Sequence, residues 1–354
     1  MKTIKVGING FGRIGRAFLK IAWERPEIEI IAVNDLSNVD NMAYLLKYDT
    51  AYGKWKHPVR AESSNRTGDN YFIIGDKKVK VLAEKDPSKL PWGDLGVDVV
   101  VESTGIFITY TSAKIHLNAG AKKVVISAPV SAKTSAGKPA TEEVHGETIL
   151  LGVNEEKFGT CDVTSNASCT TNAASPLIAI LDEGLGIEKA LLNTVHALTN
   201  SQPTVDSINK HNLREGRAGG HNIVPTSSGS AIAVTKAFPK LEGLFDGIAM
   251  RVPMIAGSIA DVTFISKKNT TAEEVNNILK KAAGEPRWKG IFAVTEEELV
   301  SSDIIGNPYG SIADLKLTRV VGGNLVKVLA WYDNEMGYTY TLVDHVIKTG
   351  KTIK

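Results

Sequence analysis

The first third of the chain alternates two hydrophobic patterns. "TIKVGIN" (Thr3–Asn9) is a short, apolar run of strand length. Ile14, Ala17, Phe18, Ile21 and Ala22 follow at helical spacing. "IEIIAVND" (Ile28–Asp35), "VDVVVEST" (Val97–Thr104) and "KKVVISAP" (Lys122–Pro129) are further β-branched runs, with a helical pattern between the last two. Buried strands that alternate with helices predict a parallel sheet covered on both faces.

The rhythm breaks at Val130–Gly146, which is small, polar and punctuated by proline and reads as an exposed loop. Beyond residue 169 the runs become longer, at Ala190–Leu198, Gly247–Ser266 and Asn324–Asn334, with a Gly/His/Asn-rich stretch over Thr199–Gly229. A second domain of mainly antiparallel strands with a few helices fits this half. A helical pattern covers roughly Thr171–Glu183 with Pro176 inside it, which predicts a kink or a late start. The amphipathic tail "YTLVDHVIKTGK" reads as a terminal helix.

A length of 354 residues suits two domains. Basic residues (41) and acidic ones (39) nearly cancel, so charge gives no reason to expect nucleic acid or an anionic membrane as a partner. No stretch approaches a membrane span, and "MKTIKVGINGFGRIG" lacks the apolar core of a signal peptide. Cys161 and Cys169 are the sole cysteines, and without a CxxC they suggest neither a disulfide framework nor a metal site. The simplest expectation is a protein of the reducing cytoplasm.

"GFGRIG" (Gly10–Gly15) has the form G-x-G-x-x-G between a predicted strand and a predicted helix. Gly10 allows the tight turn, Gly12 lets the backbone approach a pyrophosphate, and Gly15 permits close packing of helix on strand. Asp35 stands at the end of the second strand, where a carboxylate accepts from ribose hydroxyls and repels a 2′-phosphate. Together they predict a dinucleotide site that takes NAD rather than NADP.

Cys169 sits in "SNASCTTN" (Ser165–Asn172), a frame of hydroxyls and amides of the kind that caps helices and binds anions. A structural cysteine prefers apolar neighbours, so this thiol reads as reactive. It lies near a predicted helix start, which lowers a thiol's pKa, as does a histidine. His196 is the best candidate for a base among seven histidines, although its apolar strand alone favours a hydrogen-bonded core residue.

The segments "INGFGRIGR", "VNDL", "LLKYD", "VVESTG", "ISAP", "SNASCTTN", "TVHALT", "MRVP" and "WYDNEMGY" occur here in the order found in phosphorylating glyceraldehyde-3-phosphate dehydrogenases. The chain resembles that family over nearly its whole length. The resemblance implies a Rossmann NAD-binding domain over 1–168 with a returning C-terminal helix over 335–354, a catalytic α+β domain over 169–334, and a homotetramer. It implies Cys169 as nucleophile and His196 as base, acting through a thiohemiacetal and a thioester that inorganic phosphate resolves. Arg251 and Thr199 match contacts to the phosphate of glyceraldehyde 3-phosphate. Ser168, Thr170, Ser228 and Gly229 match the site for inorganic phosphate. Asn334 and Tyr338 match residues beside the nicotinamide, and Asn9, Arg13, Ile14 and Thr104 match other cofactor contacts. No metal is implied. Taken singly, Thr199 and Ser228 also read as loop residues that cap themselves, Arg251 as a structural ion pair and Tyr338 as core packing.

Some positions depart from the family pattern. Ala173 replaces its usual second cysteine, Ile208 stands where NAD-specific members commonly have proline, and Val130–Gly146 is longer by roughly a dozen residues. Rival readings are an erythrose-4-phosphate dehydrogenase, a non-phosphorylating aldehyde dehydrogenase and a binding relative without catalysis. The last is disfavoured by the presence of Cys169, His196 and Arg251 and by the absence of a basic stripe.

Overall fold

The computed structural model describes residues 3–64, 68–130, 144–210 and 212–353. The chain divides into two compact units, and the expected loop over Val130–Gly146 lies largely outside the described residues, which omit 131–143.

The first unit comprises Met1–Ile149, Glu156–Ala167 and Leu342–Lys354. Its described residues form a nine-stranded sheet in the order Gly146–Thr148, Val163–Ser165, Lys123–Ile126, Val99–Glu102, Ile4–Asn9, Ile28–Asn34, Lys77–Leu82, Asn70–Ile74, Val59–Ser63. Pairing is parallel from the first of these strands to Lys77–Leu82 and antiparallel over the last three. Four of these parallel strands, Ile4–Asn9, Ile28–Asn34, Val99–Glu102 and Lys123–Ile126, are the apolar runs of the sequence. Every residue of Val99–Glu102 is buried, and Trp92, Val97, Val100 and Ala121 form one core cluster beside them. In the antiparallel extension, Val59–Ser63 and Lys77–Leu82 alternate apolar with charged residues, while Asn70–Ile74 between them buries Phe72, Ile73 and Ile74.

The strand order reverses between Ile4–Asn9 and Val99–Glu102, and crevices outside the carboxyl ends of strands at such a point bind ligands. Asn9 lies at that end, in register with Asn34 on one side and Glu102 on the other. The glycine loop follows. Gly10 has φ +94°, and a Cβ there would stand 2.6 Å from the Thr104 nitrogen. A Cβ on Gly15 would stand 2.2 Å from the Gly10 oxygen, so the first turn of the helix Arg13–Ala22 packs on the glycine loop as closely as glycine alone permits.

The last helix runs over Met336–Lys351, and from Leu342 onward it belongs to the first unit. His345 is buried there. Its Nδ1–H donates to Asn166 Oδ1 (3.2 Å) and its Nε2 accepts from Thr164 Oγ1 (2.8 Å). Burial pushes the imidazole down to about 3, so both bonds use the neutral ring. Asp344 accepts from Arg25 at 2.7 Å, and Gly350 lies so close to Ile4 that a Cβ would stand 2.5 Å from its Cδ1.

The second unit comprises Leu150–Glu155 and Ser168–Thr341. Its eight-stranded mixed sheet is mostly antiparallel, with Ser258–Ser266 between Ile187–His196 and Leu325–Tyr332. The expected strand over Gly247–Ser266 is two strands, Phe245–Arg251 and Ser258–Ser266, separated by a turn with Gly257 at φ +88°. Phe245–Arg251 runs parallel to Ile187–His196 and ends level with it, His196 opposite Arg251. The helix Cys169–Leu185 packs on this sheet. It does not start late. Pro176 costs it one internal hydrogen bond, yet every residue from Thr170 to Leu181 is buried, and that packing sustains the helix through the proline. Leu150–Glu155 joins this unit through Gly152, whose carbonyl accepts from Arg287 Nε at 2.5 Å and which lies against the Trp288 ring. No helix among the described residues is long and apolar enough to cross a membrane.

Candidate active site

In the second unit, Ser168 caps the helix Cys169–Leu185, its Oγ accepting the Thr171 N–H at 3.0 Å. Cys169 is therefore the first helical residue, where unpaired N–H groups and the helix dipole favour an anion. The residue before the cap, Ala167, has φ 55°, and among the described residues it alone holds positive φ without being glycine. The positive φ turns the backbone immediately ahead of the cap.

His196 ends its strand, with Nε2 3.3 Å from the Cys169 Sγ. Its Nδ1 lies 2.6 Å from the Ala197 carbonyl and 2.5 Å from the Arg251 guanidinium. The carbonyl can only accept and the guanidinium can only donate, so the two contacts call for opposite tautomers; the one that gives Nδ1–H to Ala197 leaves Nε2 facing the thiol as the acceptor a base requires. The Tyr332 ring lies edge-on to His196 at 5.9 Å, and its hydroxyl bonds Thr170 Oγ1 (2.9 Å) and Thr194 Oγ1 (2.7 Å).

Burial pushes the Cys169 thiol up, against the Arg251 guanidinium, which pulls it down. Burial and then Arg251 push the His196 imidazole down to about 3. The sequence expectation of a lowered thiol pKa is thus opposed by desolvation of each charge taken alone. Passing the proton from Sγ to Nε2 creates both charges at once and in contact, beside the helix N-terminus. That route avoids a lone buried charge.

The other anion candidates fall into two groups. Arg251 ends its strand beside His196, and its Nε is buried with no hydrogen-bond partner among the described residues. Thr199 accepts no such vacancy: its N–H and Oγ1 both donate to Gln202 Oε1, at 2.9 and 3.1 Å. Ser168 Oγ lies 3.0 Å from Ser230 Oγ, which brings the cysteine helix beside Ser228 and Gly229. Ser228 Oγ accepts the Ser230 N–H at 3.3 Å, and Gly229 caps the helix Ser230–Ala237 with open space where a Cβ would be. The Thr170 hydroxyl is turned to Tyr332. Asn334 Oδ1 accepts from the Gly257 N–H (3.1 Å) and Ser258 Oγ (3.0 Å), which leaves its Nδ2 as the end for a ligand. Tyr338 is buried on the last helix.

In the first unit, a cavity of about 500 Å³ is lined by Asn9, Gly10, Gly12, Asn34, Asp35, Ser103, Thr104 and neighbours. A Cβ on Gly12 would meet nothing within 4 Å, so the loop borders open space where a pyrophosphate would approach. Asp35 Oδ2 accepts the Phe11 N–H (2.8 Å) and Oδ1 the Ser37 N–H (2.9 Å). Burial pushes its carboxyl up, but these bonds and the Arg16 guanidinium outweigh that and hold it below its usual value. Asp35 therefore also ties down the glycine loop. Arg13 does not line the cavity, since its guanidinium is paired with Asp49 at 2.6 Å, and neither do Ile14 and Gly15. Sequence reasoning missed Tyr332 and Thr194 in the second unit and Asn34 and Glu102 in the first. The one local signal was Glu102, an acid that closes the run of three valines.

A family model described as the NAD binding domain of glyceraldehyde 3-phosphate dehydrogenase matches residues 4–110, and its C-terminal domain counterpart matches residues 168–334. A Streptomyces coelicolor protein named glyceraldehyde-3-phosphate dehydrogenase is 46% identical over 354 residues, spanning 99% of this chain and 100% of that protein. Relatives of the same name from Mycolicibacterium smegmatis (47% over 359 residues, 99% and 100%) and Clostridium pasteurianum (44% over 344 residues, 96% and 96%) are similar in the same way. A dinucleotide crevice behind a glycine loop, a paired thiol and imidazole, and these likenesses over both units lead to one conclusion: the chain belongs to the glyceraldehyde-3-phosphate dehydrogenase family and is an NAD-dependent oxidoreductase.

Proposed function

We propose that Cys169 and His196 carry the oxidation of glyceraldehyde 3-phosphate, with inorganic phosphate, to 1,3-bisphosphoglycerate. The observation that carries this reading is the Cys169–His196–Arg251 cluster, with its 3.3 Å thiol–imidazole contact and the unpartnered buried Nε of Arg251. NAD⁺ bound in the crevice supplies the hydride acceptor. His196 Nε2 takes the thiol proton as Sγ adds to the aldehyde carbon, and returns it to the hemithioacetal oxygen. It then removes that hydroxyl proton as the carbon gives up its hydride, which leaves a thioester on Cys169. Phosphate oxygen attacks the thioester carbon, and Sγ departs as thiolate beside the imidazolium.

Arg251 suits the substrate's own phosphate, since a guanidinium with a free N–H edge accepts it in a fork. Ser168, Ser228 and Gly229 suit the second phosphate, with Thr170 and Thr199 reaching an anion by releasing Tyr332 and Gln202. Asn334 Nδ2 suits the nicotinamide carboxamide, with Tyr338 packed near that ring. Arg13, Ile14 and Gly15 act on the cofactor by shaping the loop. The test is nicotinamide reduction followed by absorbance, with and without inorganic phosphate. Sustained turnover with phosphate alone is expected. Equal turnover without it would make water the second nucleophile and sink the acyl-phosphate route.

Asp35→Gly is expected to raise the ratio of NADP to NAD in kcat/KM, because it removes repulsion of the 2′-phosphate. It also weakens NAD binding roughly tenfold, through the lost ribose acceptor and the released Phe11 N–H. Initial rates with both cofactors check this, and an unchanged ratio would remove Asp35 from cofactor choice.

A homotetramer in the cytoplasm completes the reading. Val205, Ile208, Leu213 and Ile223 are large, exposed apolar side chains within one stretch of 19 residues, which supports burial against another subunit. Both cysteines are free thiols, in keeping with a reducing compartment. Light scattering tests the assembly: a mass four times 38.0 kDa is expected, and a monomer would refute it.

A further inference from the structure

Three polar residues cross the first unit's sheet in one row where the strand order reverses. Glu102, Asn9 and Asn34 are register partners on adjacent strands, and all three are buried. Behind them lie His116 and Trp92, both 0% exposed. None of these contacts belongs to the chemistry described above.

The hydrogen bonds along the row have a fixed direction. At one end, the Trp92 indole N–H donates to His116 Nδ1 at 3.1 Å, and an indole can only donate. The neutral ring therefore carries its proton on Nε2, which donates to Glu102 Oε2 at 2.9 Å. At the other end, Asn34 is held by the backbone of Glu84. Its Nδ2 donates to the Glu84 carbonyl and its Oδ1 accepts the Glu84 N–H, each at 2.9 Å. Thus pinned, Asn34 Nδ2 also donates to Asn9 Oδ1 (2.8 Å), which turns Asn9 Nδ2 toward Glu102 Oε2 (2.6 Å). Glu102 Oε1 accepts both the Thr104 N–H (2.8 Å) and the Thr104 hydroxyl.

Donors thus converge on Glu102 from both anchored ends, and the group between them must only accept. A carboxylate does so; an amide of the same shape does not. We propose that Glu102, oriented through His116 by Trp92, is a positioning residue for the cofactor crevice: its carboxylate holds Asn9 and Thr104, which line the cavity, in the arrangement that receives the dinucleotide. Glu102 acts through those two residues.

Glutamine at position 102 keeps the volume but must aim its NH₂ either at Asn9 Nδ2 and the His116 Nε2–H or at the Thr104 N–H. Neither Asn9 nor His116 can reverse, because Glu84 and Trp92 fix them, so one wall of the cavity is displaced. The inference rests on NAD use by this family member, and calorimetry of NAD⁺ binding tests it without relying on turnover. For Glu102→Gln we expect Kd and KM for NAD⁺ to rise about tenfold. We expect kcat at saturating NAD⁺ to stay within about threefold, and KM for the triose phosphate to be unchanged. Trp92→Phe keeps the packing and removes the N–H, and should raise Kd by about threefold. Nitrogen-15 shifts of His116, assigned by comparison with His116→Gln, should show the Nε2-protonated tautomer. A merely structural role would lower the melting temperature of both variants and leave Kd for NAD⁺ at the wild-type value, which overturns the proposal. So would a His116 ring protonated on Nδ1. If Glu102→Gln does not fold, the Kd of Trp92→Phe decides: a rise supports the proposal and an unchanged value overturns it.

Discussion

Replacing Cys169 by serine is expected to lower kcat by roughly 10⁴–10⁶-fold while NAD⁺ binds as before. The substitution is nearly isosteric and leaves the cap by Ser168 intact, so the helix start and its N–H groups persist. What changes is the acid that His196 must deprotonate. A hydroxyl holds its proton far more tightly than a thiol, and an oxygen ester would conserve less of the oxidation energy for transfer to phosphate. The cofactor crevice is built from other residues, so calorimetric Kd for NAD⁺ should match wild type. Turnover within tenfold of wild type would remove Cys169 as the nucleophile.

His196→Asn should cost about 10²–10⁴-fold in kcat, the usual worth of a positioned base. The change in pH dependence is more telling than the loss. Burial pushes the Cys169 thiol above its ordinary value, and without His196 no acceptor stands 3.3 Å away. The variant must therefore react through thiolate formed by loss of the proton to solvent. Below the thiol's raised pKa that fraction grows about tenfold per pH unit, so the variant's rate should climb steadily between pH 6 and 8. The wild-type proton passes within the pair and follows a shallower course. A variant profile as flat as wild type would mean that another group accepts the proton.

Much of this was legible because the parallel strands and the glycine loop advertise themselves. Val99–Val101 is buried on both faces and Ile30–Val33 nearly so, and both read as uninterrupted apolar runs. Gly15 is required by its contact with Gly10 in the same loop, and Gly10 by its own φ of +94° as well as by Thr104, far off in the chain. The half-buried strand Val59–Ser63 lacked that signal, and Pro176 does not delay the helix start, because burial around it outweighs local propensity. At the site, the motif singled out Cys169, yet the pairing with His196 depends on a strand register that no local pattern encodes. Tyr332 and Glu102 were passed over for a related reason. An aromatic and an acid inside apolar runs look like core and strand end until their partners, far off in the chain, are known.

The return of residues 342–354 to the first unit governs the order in which the protein can be made. The helix that seats Gly350 on Ile4 and His345 on Thr164 is made after the whole second unit. At ordinary elongation rates it follows Ala167 by roughly 10–35 s. Throughout that interval the nascent chain lacks the segment that covers Ile4 and bonds Thr164 and Asn166, while the unit that bears the thiol emerges and folds. The first unit closes only once residues 342–354 are made, so a chain cut before them lacks a part of the domain that it began with.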